Sequence, residues 1–523
     1  MRKKVLLFGW DGVPPNIIEE ALKKGYLPYF HRFMNDGVYG TIDAVLPIAT
    51  PSNWFSAFTG VYPDKHGVIY FTSIDRNYNM VYMNLKHLKV PPIWEYLKIY
   101  NKRGIYVNIP LSSPAPKVNG IWISSEEFYT KPSKRHVYPE NILEILRKYG
   151  YMIGYPSPLD YPRKIIDKVL EAENKKLEVF HRLLQDYEWD IAIFIARSPD
   201  MFLHIFMDIP NYHEAILKCL HTLDNWFGKF MDEFGNDTNF IIFSDHGNKR
   251  KKGLINLIKI LRDFGYLEVN KGRRLKARWL RKNKITRTLW SRLPPTIKEV
   301  INKQILNRYF ELGTQARMIN SLINWRDTLV FPNIYVGGLK INLRRNFIHG
   351  RVDESSSKQL LDDLVTRLNA IEHNGVKVFK EVLTTSGNDT YISDVFLEPN
   401  DDLWFTISRD DRYVIPINPP DINDDKKMDI DKYKAAYHIR EGFYLIVADA
   451  VKSGSGPKLN MTDITPITLY LMDIPIPRGL DGSLKIEMFN KSYLDKNKPK
   501  YRQYYLHTLK RRISIVKHKL SKK

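Results

Sequence analysis

A chain of 523 residues with 43% hydrophobic and 13% aromatic side chains holds enough apolar material for a large core, which excludes a wholly disordered protein. Its 80 Lys and Arg against 58 Asp and Glu give a formal charge of +22, a surplus that points to an anionic partner or to a Lys-rich solvated surface. Cys219 is the only cysteine, which excludes an intrachain disulfide and a thiolate zinc cluster.

The first predicted element is a strand over Lys4–Trp10. It is not read as a leader, because Asp11 interrupts the apolar stretch and no small-residue cleavage pattern follows. Next comes Ala49-Thr50-Pro51-Ser52-Asn53-Trp54, where Thr50 fits a helix N-cap and Pro51 the first helical position. Short β-branched and aromatic runs follow at Gly104–Ile109, at Ile191–Ala196, at 239–244 and at 442–448. Runs of this kind predict strands buried on both faces of a parallel sheet. Residues 164–185 and 214–233 space their apolar side chains at three and four, which predicts helices between the strands. Strand alternating with helix predicts a doubly wound, mostly parallel α/β sheet flanked by helices. No run of about 18 apolar residues is present, so no spanning helix is expected, and a cytoplasmic location is the default expectation.

Two stretches break this pattern. Residues 271–308 carry thirteen Lys and Arg against the single acid Glu299, and residues 496–523 carry eleven with no acid. Together they account for the whole positive surplus, so the rest of the chain is close to neutral. The first predicts a helical arm broken at Pro294-Pro295. The second predicts a basic amphipathic helix with Tyr501, Tyr505, Leu509, Ile513, Val516 and Leu520 on one face. Either could dock on an anionic membrane surface or on nucleic acid, and the tail would then hold the protein peripherally at a membrane.

In open α/β sheets ligands bind beyond the carboxyl ends of the strands. Here the first strand runs into Asp11, Ile191–Ala196 leads to Asp200 and His204, and the next run leads to Asp245-His246-Gly247. Asp and His are the ligand types for zinc or manganese where thiolates are absent. Asp200 and His204, four residues apart, share one face of a helix.

Together these residues resemble the alkaline phosphatase superfamily, and within it the type I phosphodiesterases and nucleotide pyrophosphatases. The resemblance rests on Asp11, Thr50, Thr59-Gly60-Val61-Tyr62-Pro63-Asp64-Lys65-His66-Gly67, Asp200 with His204, Asp245-His246-Gly247 and His438, in the family's order. It implies one metal held by Asp200, His204 and His438, and a second held by Asp11, Asp245, His246 and the Thr50 oxygen. Thr50 would be the nucleophile and Asn53 a donor to a phosphate oxygen, with His66 structural. Two divalent ions, zinc foremost and manganese the alternative, would bridge the phosphate charge at a spacing of about 4 Å. The implied activity is hydrolysis of a phosphodiester or nucleotide pyrophosphate through a phospho-threonine. The alternatives are a phosphomonoesterase, a phosphonate hydrolase, or a non-catalytic basic scaffold. Pro51 departs from the family, whose corresponding residue offers a backbone N–H that proline lacks. The expected organisation is a catalytic core over 1–246, an inserted cap over 247–437, a closing core segment over 438–490 and a basic tail over 491–523.

Overall fold

The structure is a computed structural model that describes residues 4–126, 130–156, 161–207, 209–270, 322–334, 336–385, 389–408, 410–417 and 436–504. The basic stretch 271–308 therefore lies outside the described residues, as does most of the basic tail.

The strands of the central sheet are buried at its core and part-exposed towards its edges. They are β1 (Lys4–Trp10), β2 (Val38–Asp43), β3 (Gly104–Ile109), β4 (Gly120–Ser124), β5 (Val137–Tyr138), β6 (Ile191–Ala196), β7 (Thr238–Phe243), β10 (Glu441–Val447), β11 (Gly454–Ser455) and β12 (Leu459–Asn460). Strands β8 (Gly247–Arg250) and β9 (Ala436–Ile439) form a separate antiparallel pair. The order across the sheet is β11-β2-β10-β7-β1-β6-β3-β4-β5, with β12 also beside β2. Strands β7, β1, β6, β3 and β4 run parallel, in the doubly wound manner expected.

Strand β10 differs from the expectation. It runs antiparallel to both β2 and β7. Its apolar run reported burial on two faces, which a covered antiparallel strand shares with a parallel one, so the sequence pattern was silent on direction. The direction matters for the site. The residues before β10, rather than those after it, lie at the sheet edge where β1, β6 and β7 end.

Helices α2 (Pro162–Asp186) and α4 (His213–Phe234) cover one face. Phe180 and Phe230 from them meet Phe8 and Phe194 of the sheet at ring-centroid distances of 5.2 to 5.9 Å. Each such fully buried ring contributes on the order of 1.5–3 kcal/mol relative to exposure. On the other face lies α1 (Thr50–Thr59), all of whose residues are buried. Its Trp54 lies so close to β1 that a Cβ on Gly9 would sit 2.2 Å from the indole. Glycine at position 9 is thus a packing requirement of α1.

The helix also starts one residue differently from the expectation. Ala49 is the N-cap, in extended backbone with no side-chain cap, and Thr50 is already helical. The Thr50 hydroxyl is therefore not spent on capping its own helix.

By contact the chain divides into two compact units. The first comprises residues 1–70, 83–251 and 418–523, and the second residues 71–82 and 252–417. Residues 247–251 and 436–437, expected in the insertion, belong to the first unit because β8 and β9 pair with one another, Asn248 opposite His438. In the second unit a four-stranded antiparallel sheet brings together Val330–Ile334, Gly338–Ile341, Val395–Pro399 and Phe379–Thr384. Its hairpin of Thr72–Ile74 and Met80–Tyr82 supplies Tyr78, which stacks on Trp325 at 4.0 Å and Phe347 at 5.2 Å. No local pattern marks residues 71–82 as part of this unit.

The start of the tail departs from the expected helix. Tyr501–Arg502 form a short strand that pairs with Ile476–Pro477, so Tyr501 is not on a helix. The other positions of the predicted apolar face lie outside the described residues. Among the described residues no helix is long and apolar enough to cross a membrane.

Candidate active site

Parallel pairing in register brings three strand ends together. Trp10 of β1 lies beside Ala196 of β6, and Gly9 beside Phe243 of β7. The chain beyond each strand thus emerges at one edge carrying Asp11, then Arg197 to Asp200, then Asp245 and His246. The direction of β10 adds His438 to the same edge, and the loop after β2 delivers Thr50. Helix α3 (Ser198–Phe206) holds Asp200 and His204 one turn apart.

The three histidines are oriented alike. His204 Nδ1 donates to the Ala436 carbonyl at 2.7 Å, His438 Nδ1 to that of Ile48 at 3.0 Å, and His246 Nδ1 to that of Gly247 at 3.1 Å. A carbonyl only accepts, so each Nδ1 carries a proton and each Nε2 is the nitrogen turned to the site. His204 Nε2 and His438 Nε2 face one another at 3.0 Å. Asp200 Oδ1 lies 3.4 Å from the first and 3.7 Å from the second. His246 Nε2 lies 3.3 Å from the Thr50 hydroxyl, 3.4 Å from Asp245 Oδ2 and 3.6 Å from Asp11 Oδ1. Those two carboxylate oxygens are buried and take part in no hydrogen bond.

Such a set of acceptor atoms is repulsive unless a cation lies among them. Burial pushes the Asp11 carboxyl up to about 8, with the charge of Asp200 adding to the effect against Arg197 and Trp54. Burial, then the charges of Asp11 and Asp200, also raises Asp245 far above the usual carboxylate range. Burial pushes His246 down to about 4 and His438 well below its ordinary value, so both imidazoles are neutral and ready to ligate. The donors form two groups, Asp200, His246 and His438 in one and Asp11, Asp245 and His246 in the other, each with its ligand atoms within 4.8 Å of one another. Orphaned carboxylate oxygens and converging lone pairs fit divalent metal ions. His246, expected to serve one ion only, is within reach of both groups.

The expected phosphate donor Asn53 is turned elsewhere. Its side-chain oxygen accepts from Val45 N–H at 2.6 Å and its amide donates to the Ala49 carbonyl at 3.1 Å. Being 0% exposed, it ties the loop before Thr50 to the helix. His66 is structural, as expected. Its Nε2 lies 3.1 Å from Ser56 Oγ and 3.2 Å from the Ser52 carbonyl, while Nδ1 accepts from Val68 N–H. It braces α1 from behind.

Several residues of the site were not foreseen. Trp54, one turn after Thr50, donates its indole N–H to Asp11 Oδ2 at 3.2 Å, and Arg197 Nε lies 3.6 Å from the same oxygen. The Asn248 amide donates to Asp200 Oδ1 and to the Gly12 carbonyl, both at 2.9 Å. Gly12 N–H in turn donates to Asp245 Oδ1 at 3.2 Å. One signal was available for Asn248: it sits two residues beyond His246, the period that returns a strand to the same face.

The family model described as type I phosphodiesterase / nucleotide pyrophosphatase matches residues 5–426. The chain belongs to this family. Of the ligand candidates only His438 lies beyond the matched residues, and it is the pairing of β8 with β9 that sets it in the site. Two curated relatives are ectonucleotide pyrophosphatase/phosphodiesterase family member 1 of Rattus norvegicus and of Mus musculus. Each is 24% identical, over 302 and 280 residues, which is 55% and 50% of this chain. The matches span 28% and 26% of those relatives' own length. Among solved structures, the phosphonoacetate hydrolase of Sinorhizobium meliloti in complex with phosphonoformate aligns at TM-score 0.56 and 14% identity, covering 90% of this chain and 96% of that one. An inactive form of murine ectonucleotide pyrophosphatase/phosphodiesterase 5 in complex with AMP aligns at TM-score 0.50 and 12% identity, over 93% and 100%. At these identities the likeness is one of fold.

Proposed function

We propose that this chain is a metal-dependent hydrolase of phosphodiester or nucleotide pyrophosphate bonds in which the Thr50 hydroxyl attacks phosphorus. The observation that carries it is the Thr50 oxygen at 3.3 Å from His246 Nε2, at the rim of a buried set of converging carboxylate and imidazole atoms. Divalent ions, zinc first by the imidazole content or else manganese, held by Asp200, His204 and His438 and by Asp11, Asp245, His246 and Thr50, would neutralise phosphate charge and lower the hydroxyl pKa.

The chain's own residues do the rest. Thr50 stands at the first position of α1, where the positive end of the helix favours both an anionic nucleophile and the phosphate it attacks. Trp54 and Arg197 hold Asp11 to one orientation, and Asn248 does the same for Asp200. Attack forms a bond between Thr50 Oγ and phosphorus while the leaving oxygen departs, and water then cleaves that bond and restores the hydroxyl. Pro51 offers no N–H and the Asn53 side-chain amide is engaged, so neither adds a hydrogen bond to the phosphate.

Hydrolysis of bis(p-nitrophenyl) phosphate with added zinc or manganese tests this. Activity should vanish with EDTA. It should also fall at least about 1,000-fold in Thr50→Ala while the circular dichroism spectrum is unchanged. A fully active Thr50→Ala protein refutes the mechanism.

A further inference from the structure

Around the start of α3 lies a buried polar cluster that no catalytic step uses. Glu173 and Lys176 of α2 are both 0% exposed, as is Asn108 at the end of β3, and Tyr155 is 3% exposed. Asn108, Tyr155 and Glu173 reach the backbone of Ile195, Arg197 and Ser198, where β6 passes into α3, and Lys176 packs against Tyr155.

The first N–H groups of a helix need acceptors. Arg197, at the N-cap of α3, has no acceptor in its side chain and caps nothing. The acceptors come instead from elsewhere in the chain. Arg197 N–H donates to the Tyr155 hydroxyl at 3.2 Å, and Ser198 N–H to Glu173 Oε2 at 3.1 Å. Pro199 has no N–H to satisfy. The Tyr155 hydroxyl itself donates to Glu173 Oε2 at 2.7 Å, so one carboxylate oxygen joins both caps. Asn108 Nδ2 donates to the Ile195 carbonyl at 2.6 Å and lies 3.3 Å from the Tyr155 oxygen. Lys176 Nζ donates to the Gly154 carbonyl at 2.7 Å and sits 3.9 Å above the Tyr155 ring. From α4, the Cys219 thiol donates to Ser198 Oγ at 3.3 Å.

We propose that Tyr155 and Glu173 are positioning residues: they cap α3 in trans and thereby set the place of Asp200 and His204, the two metal-ligand candidates that this helix carries. The inference rests on the metal-site assignment above. Asp200 is two residues from Ser198, so a shift of the first turn of α3 moves its carboxylate and the His204 imidazole together, while His438 stays with β9. Ligand geometry is sensitive to such a shift, because outer supports of metal ligands typically change affinity by about 10–100-fold. A buried carboxylate is an expensive way to stabilise a helix when an apolar contact would serve. Its presence here fits a demand for a fixed position rather than for stability alone.

The test uses the full-length protein with manganese or cobalt as the probe. Metal affinity by equilibrium dialysis, kcat and KM for bis(p-nitrophenyl) phosphate, and thermal midpoint are measured for Tyr155→Phe, Glu173→Gln and Glu173→Ala. Tyr155→Phe keeps the ring and removes the oxygen, and should lower metal affinity and kcat each by about tenfold with KM within about twofold. Glu173→Gln keeps an acceptor for Ser198 N–H and should retain most of both. Glu173→Ala should lose at least as much as Tyr155→Phe, and if it fails to fold the other two variants decide. Variants with lower thermal midpoints but wild-type metal affinity and kcat would show a merely structural role and overturn the proposal. A wild-type protein that binds metal without turning over the diester would instead refute the proposed function, and the affinity measurements would still test the positioning role.

Discussion

Replacing Gly12 by alanine perturbs two things that the structure allows to be separated. Gly12 has φ +76°, a conformation that costs an alanine roughly 1–2 kcal/mol. A Cβ there would also lie 2.5 Å from Asp200 Oδ1, 2.6 Å from Asn248 Nδ2 and 2.9 Å from Asp200 Cβ. Ordinary contact is about 3.5 Å, so the Asp200 carboxylate or the β1 end must retreat by roughly 1 Å, a misplacement that can cost about 100-fold in rate. Gly25 provides the control, since its φ is +75° and an added Cβ would meet nothing within 4 Å. Gly25→Ala should therefore lose about 1–2 kcal/mol in guanidinium unfolding and keep full turnover of bis(p-nitrophenyl) phosphate. Gly12→Ala should lose at least as much stability and about 100-fold in kcat/KM at saturating metal. If Gly12→Ala hydrolyses the diester within about threefold of wild type, the close approach of Gly12 to Asp200 does not set the ligand geometry and the argument fails.

Two pH dependences follow from burial. Asp11 titrates near 8 in the metal-free protein while His246 near 4 is already neutral, so metal must displace carboxylate protons below pH 8. With Asp245 also raised, manganese affinity by chelator competition should then rise at least about tenfold per pH unit between about 6 and 7.5; a flat profile would show that the carboxylates are already ionised. His66 is pushed down to about 3 by burial, so the native state keeps it neutral while the unfolded chain takes up a proton below about 6.5. That contribution is full above 6.5 and is lost as pH falls towards 3, up to about 5 kcal/mol in all. In EDTA, wild type should lose about 1.4 kcal/mol more than His66→Gln between about pH 6 and pH 5, measured by urea unfolding. Equal slopes would mean that His66 is charged or solvated in the fold.

Much of this was legible in the residues because the signals are local. Apolar runs marked β1, β3, β6 and β7, since a strand buried on both faces has no polar positions to spare. The residues after them marked the site, since parallel strands end at one edge whatever their order in the sheet. Asp200 and His204 could be paired from their spacing on a helix alone. The supports were harder to see. Asn53 stands where a phosphate donor is expected, yet the fold of the loop over 45–49 gives its amide nearer partners. Trp54, whose apolar body suits the core, uses its single N–H on Asp11.

The candidate ligand types, their order and the parallel core are legible in neighbouring residues, because burial and helix spacing are written there. The direction of β10 is a matter of long-range pairing. Had this strand been parallel, His438 would stand at the edge of the sheet away from Asp200. Strand direction is set by pairing with β2 and β7, hundreds of residues away in the chain, and no local pattern reports it. The same long-range pairing of β8 with β9 sets Asn248 opposite His438 and leaves His246 between the two ligand groups.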